Sequence, residues 1–238
     1  MAYTLYGAPD SANLVIHILL EQLEQDYELV WVDRGRQAHR SPRFLETLNP
    51  QGLMPVLIDD KQPIFETAAI ALHLTDKHQA LAPQTTASPE RARFLQWLFY
   101  LSNTLHGDLR VQFYPDRHIS GVDGITGLLE KTQERIKGHF QLLEKELMKQ
   151  EGGPWFLGEN MSILDIYLAA LCRWSLLYPS GKALTSDTLR ALPNIHKLLI
   201  ALEQLPAVQR VLPLHKIQAP FFTRPSVPDL PAEQVSAS

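Results

Sequence analysis

The chain has 238 residues, a formal net charge of −4, one cysteine, and 45% hydrophobic residues. That apolar content suffices for one large domain or two modest ones. The acid excess excludes a general attraction to nucleic acid or an anionic membrane surface, and a single cysteine excludes an internal disulfide or a CxxC redox or zinc motif.

The first eighty residues alternate between strand and helix signals. "YTLYG" reads as a strand, and "LVIHILLEQL" carries apolar residues at helical spacing. "YELVWV" is a second strand, "SPRFLETL" a short helix, and "MPVLIDD" with "PIFE" a hairpin before the helix "TAAIALHLTDKH". The order β-α-β-α-β-β-α predicts a compact α/β domain over 1–80. "LAPQTTAS", residues 81–88, has the small, polar, Pro-containing composition of a linker. Over 89–212 every signal is helical: one long helix from Pro89 to Tyr114, a second in "GLLEKTQERIKGHFQLLEKELMKQ", a third in "SILDIYLAALCRWSLLY", and one or two more up to Leu212. The tail 213–238 carries Pro213, Pro220, Pro225, Pro228 and Pro231, and is expected to be irregular or partly disordered. No apolar run approaches the roughly 18 residues of a bilayer span, and no signal pattern opens the chain, so a cytoplasmic location is expected.

Several stretches are candidates for chemistry. In "YGAPDSAN", Asp10, Ser11 and Asn13 can all accept from free backbone N–H groups, whereas a helix start needs one such cap. Pro55, after Met54, suits an ordinary strand edge, or a cis bond that turns the Met54 backbone outward toward a peptide-like ligand. Glu66 and Thr67 stand where a strand passes into a helix. Thr67 is there either as a cap with Glu66 as surface, or the pair receives a ligand carboxylate and ammonium. Arg34, Arg36, Arg40 and Arg43 with His39 form a local basic run, a solvated face or a dock for a small anion. On the long helix, Phe94, Leu98, Leu101, Leu105 and Leu109 mark the core face. Phe99, Asn103, His106, Arg110 and Phe113 form a second stripe with aromatic ends, read as a cleft wall. Ser162 and Asp165 read as a capping box for folding, and Cys172 as a small core residue. The nine histidines show no metal-ligand spacing, so no metal is expected.

Taken in order, "YGAPDSAN", "HRSPRFLETLNPQGLMPVL", "FETAAI", "WLFYLSNTLH" and "FLGENMSILDIYLAA" resemble the cytosolic glutathione transferases over nearly the whole chain to about residue 212. The resemblance is to bacterial and fungal members near the beta, phi and theta classes. It implies a thioredoxin-like N-terminal domain followed by a C-terminal helical-bundle domain, usually paired into a homodimer. It implies glutathione as co-substrate and a hydrophobic electrophile as its small-molecule partner, with no metal, nucleic acid or membrane. Residue by residue, Ser11 falls at the position facing the glutathione sulfur, with Asn13 a second polar residue near it. His39 and Arg40 fall near the glycine carboxylate, Met54 on the cysteinyl unit, Glu66 and Thr67 on the γ-glutamyl end, and His106 on the sulfur side. Phe99, Asn103, Arg110 and Phe113 fall to the electrophile pocket. The chain departs from the pattern at Leu53, where many members carry Lys or Gln, and at Thr67, where Ser is commoner. Asp10 or Asn13 serving turn and cap leaves Ser11 free to donate to a thiolate. The expected activity is thiolate stabilisation and transfer to the electrophile. The alternatives are a glutathione-dependent disulfide reductase or peroxidase, and a non-catalytic binding module on the same fold.

Overall fold

The computed structural model describes residues 2–84, 87–121, 124–178 and 184–230. Thr85 and Thr86 of the expected linker, and Pro231 with the "AEQVSAS" terminus, lie outside them. The described chain divides into two compact units.

The first unit opens with β1 (Tyr3–Gly7), α1 (Asn13–Gln22), β2 (Tyr27–Trp31) and α2 (Pro42–Thr47). It continues with β3 (Val56–Asp59), β4 (Gln62–Phe65) and α3 (Thr67–His78). The four strands form one sheet in the order β2-β1-β3-β4. β1 is parallel to β2 and antiparallel to β3, which forms an antiparallel pair with β4. The β3–β4 turn is Asp60-Lys61, both at positive φ, the backbone that matches strand twist in a two-residue loop. Side chains alternate across the sheet, so the row Tyr6–Val56–Phe65 faces one way and Leu5–Leu57–Ile64 the other. Phe44 of α2 packs with Val32 and Val56 against the first row. Leu5 and Leu57 are fully buried, and α1, buried from Asn13 through Leu20, packs on β1 and α3.

The second unit is helical: α4 (Pro89–Phe99), α5 (His106–Phe113), α6 (Ile125–Met148), α7 (Ile163–Leu177), α8 (Ser186–Arg190) and α9 (Pro193–Glu203). Phe94, Leu98, Leu101, Leu105 and Leu109 are all fully buried, as the apolar spacing predicts. The single long helix expected from Pro89 is interrupted, because Tyr100–Leu105 forms a π-helical segment between α4 and α5. One extra residue per turn leaves no compositional mark, so the spacing reads through it. Asp165 closes the capping box at the start of α7, accepting from the N–H and the hydroxyl of Ser162.

The last helix, α10 (Pro206–Leu214), returns to the first unit and packs on α1. It contains Pro213, contrary to the expectation of no helix beyond that residue. A proline in the last turn removes only one backbone bond, so the helix survives it. Residues 215–230 are irregular, as expected, but they are tied down rather than disordered. Phe221 and Phe222 are buried, and the fully buried Arg173 donates to the carbonyls of Phe221 (3.0 Å) and Ser226 (2.8 Å). The Glu203 carboxylate accepts from the N–H groups of Phe222 and Thr223.

Candidate functional site

Sheet register gathers the candidate residues of the first unit at one edge. Val56 pairs with Tyr6 on one side and Phe65 on the other, and Gly7 pairs with Trp31. The chain therefore leaves β1 toward Ser11, enters β3 from Met54 and Pro55, and leaves β4 toward Glu66 and Thr67, all at the same end of the sheet.

The turn after β1 is built on Asn13. This residue is fully buried, and its Oδ1 accepts the Ala8 N–H at 3.0 Å. A Cβ on Gly7 would lie 2.2 Å from Asn13 Cγ, so the close approach requires glycine there. Asn13 Nδ2 is buried with no hydrogen-bond partner among the described residues. The N-cap of α1 is Ala12, with no side-chain cap, so neither Asp10 nor Asn13 takes the capping role the sequence offered them. Ser11 is partly exposed; its carbonyl accepts the Leu14 N–H, and Arg34 Nη1 lies 3.5 Å from its Oγ.

The second helix start is also uncapped. Glu66 is the N-cap of α3 at φ 73°, ψ 118°, with no side-chain cap bond, and Thr67 is the first helical residue. The reading of Thr67 as the cap is therefore corrected. A left-handed backbone at a non-glycine residue costs on the order of 1–3 kcal/mol and persists where the surroundings impose it. Glu66 is exposed and Thr67 buried.

The loop before β3 is stapled by Asn49, whose Nδ2 donates to the Leu53 carbonyl (2.9 Å) and whose Oδ1 accepts the Gln51 N–H (3.0 Å). Met54, in a cis peptide with Pro55, packs against the Val32–Phe44–Val56 cluster. His39 and Arg40 lie in a 3-10 turn, Ala38–Arg40. Arg40 Nη1 donates to the Gln51 carbonyl (2.9 Å), and Gln51 Nε2 lies 3.5 Å from Glu66 Oε1. Gly52, at φ +62°, lets this loop close on the His39 carbonyl, where a Cβ would come within 2.8 Å. Gln51 thus touches both the basic turn and Glu66, a link sequence reading missed because "NPQG" signals only a turn.

The remaining candidates belong to the second unit. Phe99 is 48% exposed, and Asn103 and Arg110 are exposed. Phe113 packs edge-on against Tyr114 and Tyr178. His106 Nδ1 is 2.9 Å from the Tyr167 hydroxyl, with its ring beside Trp174. Burial, and then the Arg110 charge, lower its pKa to about 4, so it is neutral at physiological pH. Cys172 is fully buried, and burial pushes its thiol up, which leaves it unreactive. Among the described residues no group of three or more His, Cys, Asp or Glu side chains is placed to hold a metal, and no helix is long and apolar enough to cross a membrane.

Comparison with known proteins gives consistent matches. Residues 1–76 match the family model for the glutathione S-transferase N-terminal domain, and residues 128–212 that for the C-terminal domain. The disulfide-bond oxidoreductase YfcG of Escherichia coli is 33% identical over 169 residues, covering 68% of this chain and 75% of that protein. Glutathione S-transferase 3 of Zea mays is 28% identical over 174 residues, 70% and 75% of the two chains. A glutathione transferase from Burkholderia graminis, solved with two glutathione molecules per subunit, superposes with a TM-score of 0.74 at 25% identity, over 89% of this chain and 87% of that one. With its four-stranded thioredoxin-like sheet, its helical second unit and these matches, the chain belongs to the glutathione S-transferase family.

Proposed function

We propose that the protein binds glutathione at this sheet edge, holds it as the thiolate through Ser11, and transfers it to a hydrophobic electrophile. The observation that carries the reading is the pair of uncapped helix starts, α1 beside Ser11 and α3 at Glu66 and Thr67, which leave the sheet at the same edge. Each offers N–H groups and partial positive charge. They suit the two anionic parts of the tripeptide: the ionised sulfur, and the γ-glutamyl carboxylate beside the Thr67 hydroxyl. Glu66, exposed and fixed in a strained backbone, suits the γ-glutamyl ammonium. Arg40 supplies a positive charge for the glycine carboxylate, with the His39 ring beside it, and the Met54 backbone suits the cysteinyl amide. Asn13 holds the turn that presents Ser11 by accepting the Ala8 N–H.

A free thiol ionises near pH 8.5, so about 3% is thiolate at neutral pH. A hydroxyl hydrogen bond to a charged sulfur contributes on the order of 1.5 kcal/mol, and a helix start up to about 1 kcal/mol more. Together they lower the pKa to roughly 7, enough to make the nucleophile abundant. Phe99 and Phe113 give the second unit apolar surface of the kind such an electrophile needs.

Calorimetric binding of glutathione in buffers of different ionisation enthalpy tests this, because it counts protons released. Net release near neutral pH that Ser11→Ala sharply reduces is the expected result. Binding without proton release refutes thiolate formation and leaves a glutathione-holding module. A second reading, disulfide exchange, is favoured by the likeness to YfcG and needs no protein cysteine. Comparing turnover of a glutathione mixed disulfide with that of an aryl halide separates the two.

A further inference from the structure

The first unit contains a chain of polar side chains, buried at its two histidines, that none of the roles above uses. The Asp10 N–H donates to His215 Nδ1 (3.1 Å), and His215 Nε2 meets His17 Nδ1 at 2.9 Å. His17 Nε2 meets the Tyr27 hydroxyl at 2.7 Å. That hydroxyl donates to Glu21 Oε1 (2.7 Å), and Arg210 Nε donates to Glu21 Oε2 (2.8 Å). Both histidines are fully buried, and the edge of Trp31 closes on the His215 ring at 5.0 Å.

The direction of every bond follows from one end. A backbone N–H only donates, so His215 Nδ1 is the acceptor and its proton sits on Nε2. His17 must then accept at Nδ1 and donate from Nε2, and the Tyr27 hydroxyl must donate to the Glu21 carboxylate. The chain is complete only with both histidines neutral. Burial agrees, lowering the His17 pKa to about 4 against the smaller opposing pull of Glu21. The groups facing the pair are Glu21 on the same helix, Tyr27 on β2, Arg210 on α10, and Asp10 in the turn.

The free end of this chain is the residue before Ser11. Asp10 sits at φ 49°, a left-handed backbone that costs free energy in a non-glycine residue, and the His215 bond to its N–H helps to hold it there. We propose that His215, locked in one tautomer and orientation by His17, Tyr27 and Glu21, is a positioning residue for thiol activation: it grips the Asp10 N–H and so aims the Ser11 hydroxyl at the sulfur. The inference rests on Ser11 being the thiolate donor. It adds that the aim is set by a residue more than two hundred positions later in the chain.

The test is the thiol pKa of bound glutathione, followed by ultraviolet thiolate absorbance against pH, alongside affinity for S-methylglutathione, which has no thiol to ionise. His215→Ala should raise the bound thiol pKa by about 0.5–1 unit, the worth of one misdirected hydrogen bond, while S-methylglutathione affinity changes less than about twofold. His215→Asn, whose Oδ1 accepts near the place of Nδ1, should recover most of the shift. Tyr27→Phe, which removes one hydroxyl far from the turn, should raise the pKa by a smaller amount. If His215→Ala does not fold, Tyr27→Phe decides: a raised pKa supports the role and an unchanged one overturns it. A parallel loss of S-methylglutathione affinity also overturns it, since general damage to the site would produce that. A wild-type protein that binds glutathione without lowering its thiol pKa overturns both this inference and the Ser11 reading. A lowered wild-type value that Ser11→Ala largely reverses but the His215 and Tyr27 variants leave untouched overturns this inference alone.

Discussion

Replacing Asp165 by alanine tests how much one buried carboxylate contributes to the helical unit. Asp165 is fully buried and accepts from Phe156 N–H at 2.6 Å, Ser162 N–H at 2.7 Å and the Ser162 hydroxyl at 3.1 Å. Alanine leaves two buried N–H groups unsatisfied, each costing about 1–3 kcal/mol, so the total is roughly 3–5 kcal/mol. That is a large share of a typical stability of about 5–15 kcal/mol. A second effect sets a pH signature. Burial raises the Asp165 pKa to about 6 despite its hydrogen bonds. Between about pH 4 and 6 the folded state therefore holds more protons than the unfolded one, and this group's stabilisation declines as pH rises through that window. The Asp165→Ala cost should then be larger at pH 5 than at pH 7.5, by about 1 kcal/mol. Urea unfolding of both proteins at the two pH values measures this. A cost below about 1 kcal/mol at both, or a cost that grows with pH, refutes the reasoning.

Glu66→Gly should raise the melting temperature by relieving about 1 kcal/mol of backbone strain, yet weaken glutathione binding roughly tenfold by removing a charged partner; melting curves and calorimetry check the two signs separately. His17 and His106 have folded pKa values lowered to about 4, so the unfolded state binds more protons below pH 6.5 and stability falls as pH drops from there. Each should cost about 2 kcal/mol at pH 5, outweighing Asp165, and His106→Gln should reduce the slope of stability against pH. Arg173→Leu should release the Phe221–Ser226 strap, speeding amide exchange at Phe222 and Thr223 by about tenfold or more, read by hydrogen-exchange mass spectrometry.

What the sequence made legible is what short-range pattern encodes. The short strand-like runs bounded by turns gave the strands, the Leu98–Leu101–Leu105 spacing gave the core face, and the Ser162-x-x-Asp165 box gave the start of α7. The candidate site was legible because Ser11, Met54 and Glu66 each adjoin a strand end, and strand ends meet by register. What stayed hidden depends on long-range partners. Asn13 looked like one polar residue among several until its carboxamide was seen against Gly7 and the Ala8 N–H. His215 lies in a Pro-rich stretch with no periodicity, and only tertiary structure brings its ring to His17. Arg173 sits within an apolar helix, and nothing local says that its guanidinium will reach the Phe221 carbonyl.

The return of α10 to the first unit has a consequence for how the protein is made. On a ribosome, the sheet and α1 emerge first, with His17 and Glu21 already placed on a helix but without His215 and Arg210. At roughly 5–20 residues per second, the 205 positions between Asp10 and His215 take about ten to forty seconds to synthesise. During that interval the N-terminal unit carries an uncovered helix face and an unbraced Ser11 turn, while the whole helical unit is being threaded out behind it. The nascent chain is thus exposed to chaperones and proteases at its first eighty residues until its last helix arrives, and a premature stop before residue 205 would remove both α10 from the first unit and the Phe221–Ser226 strap from the second.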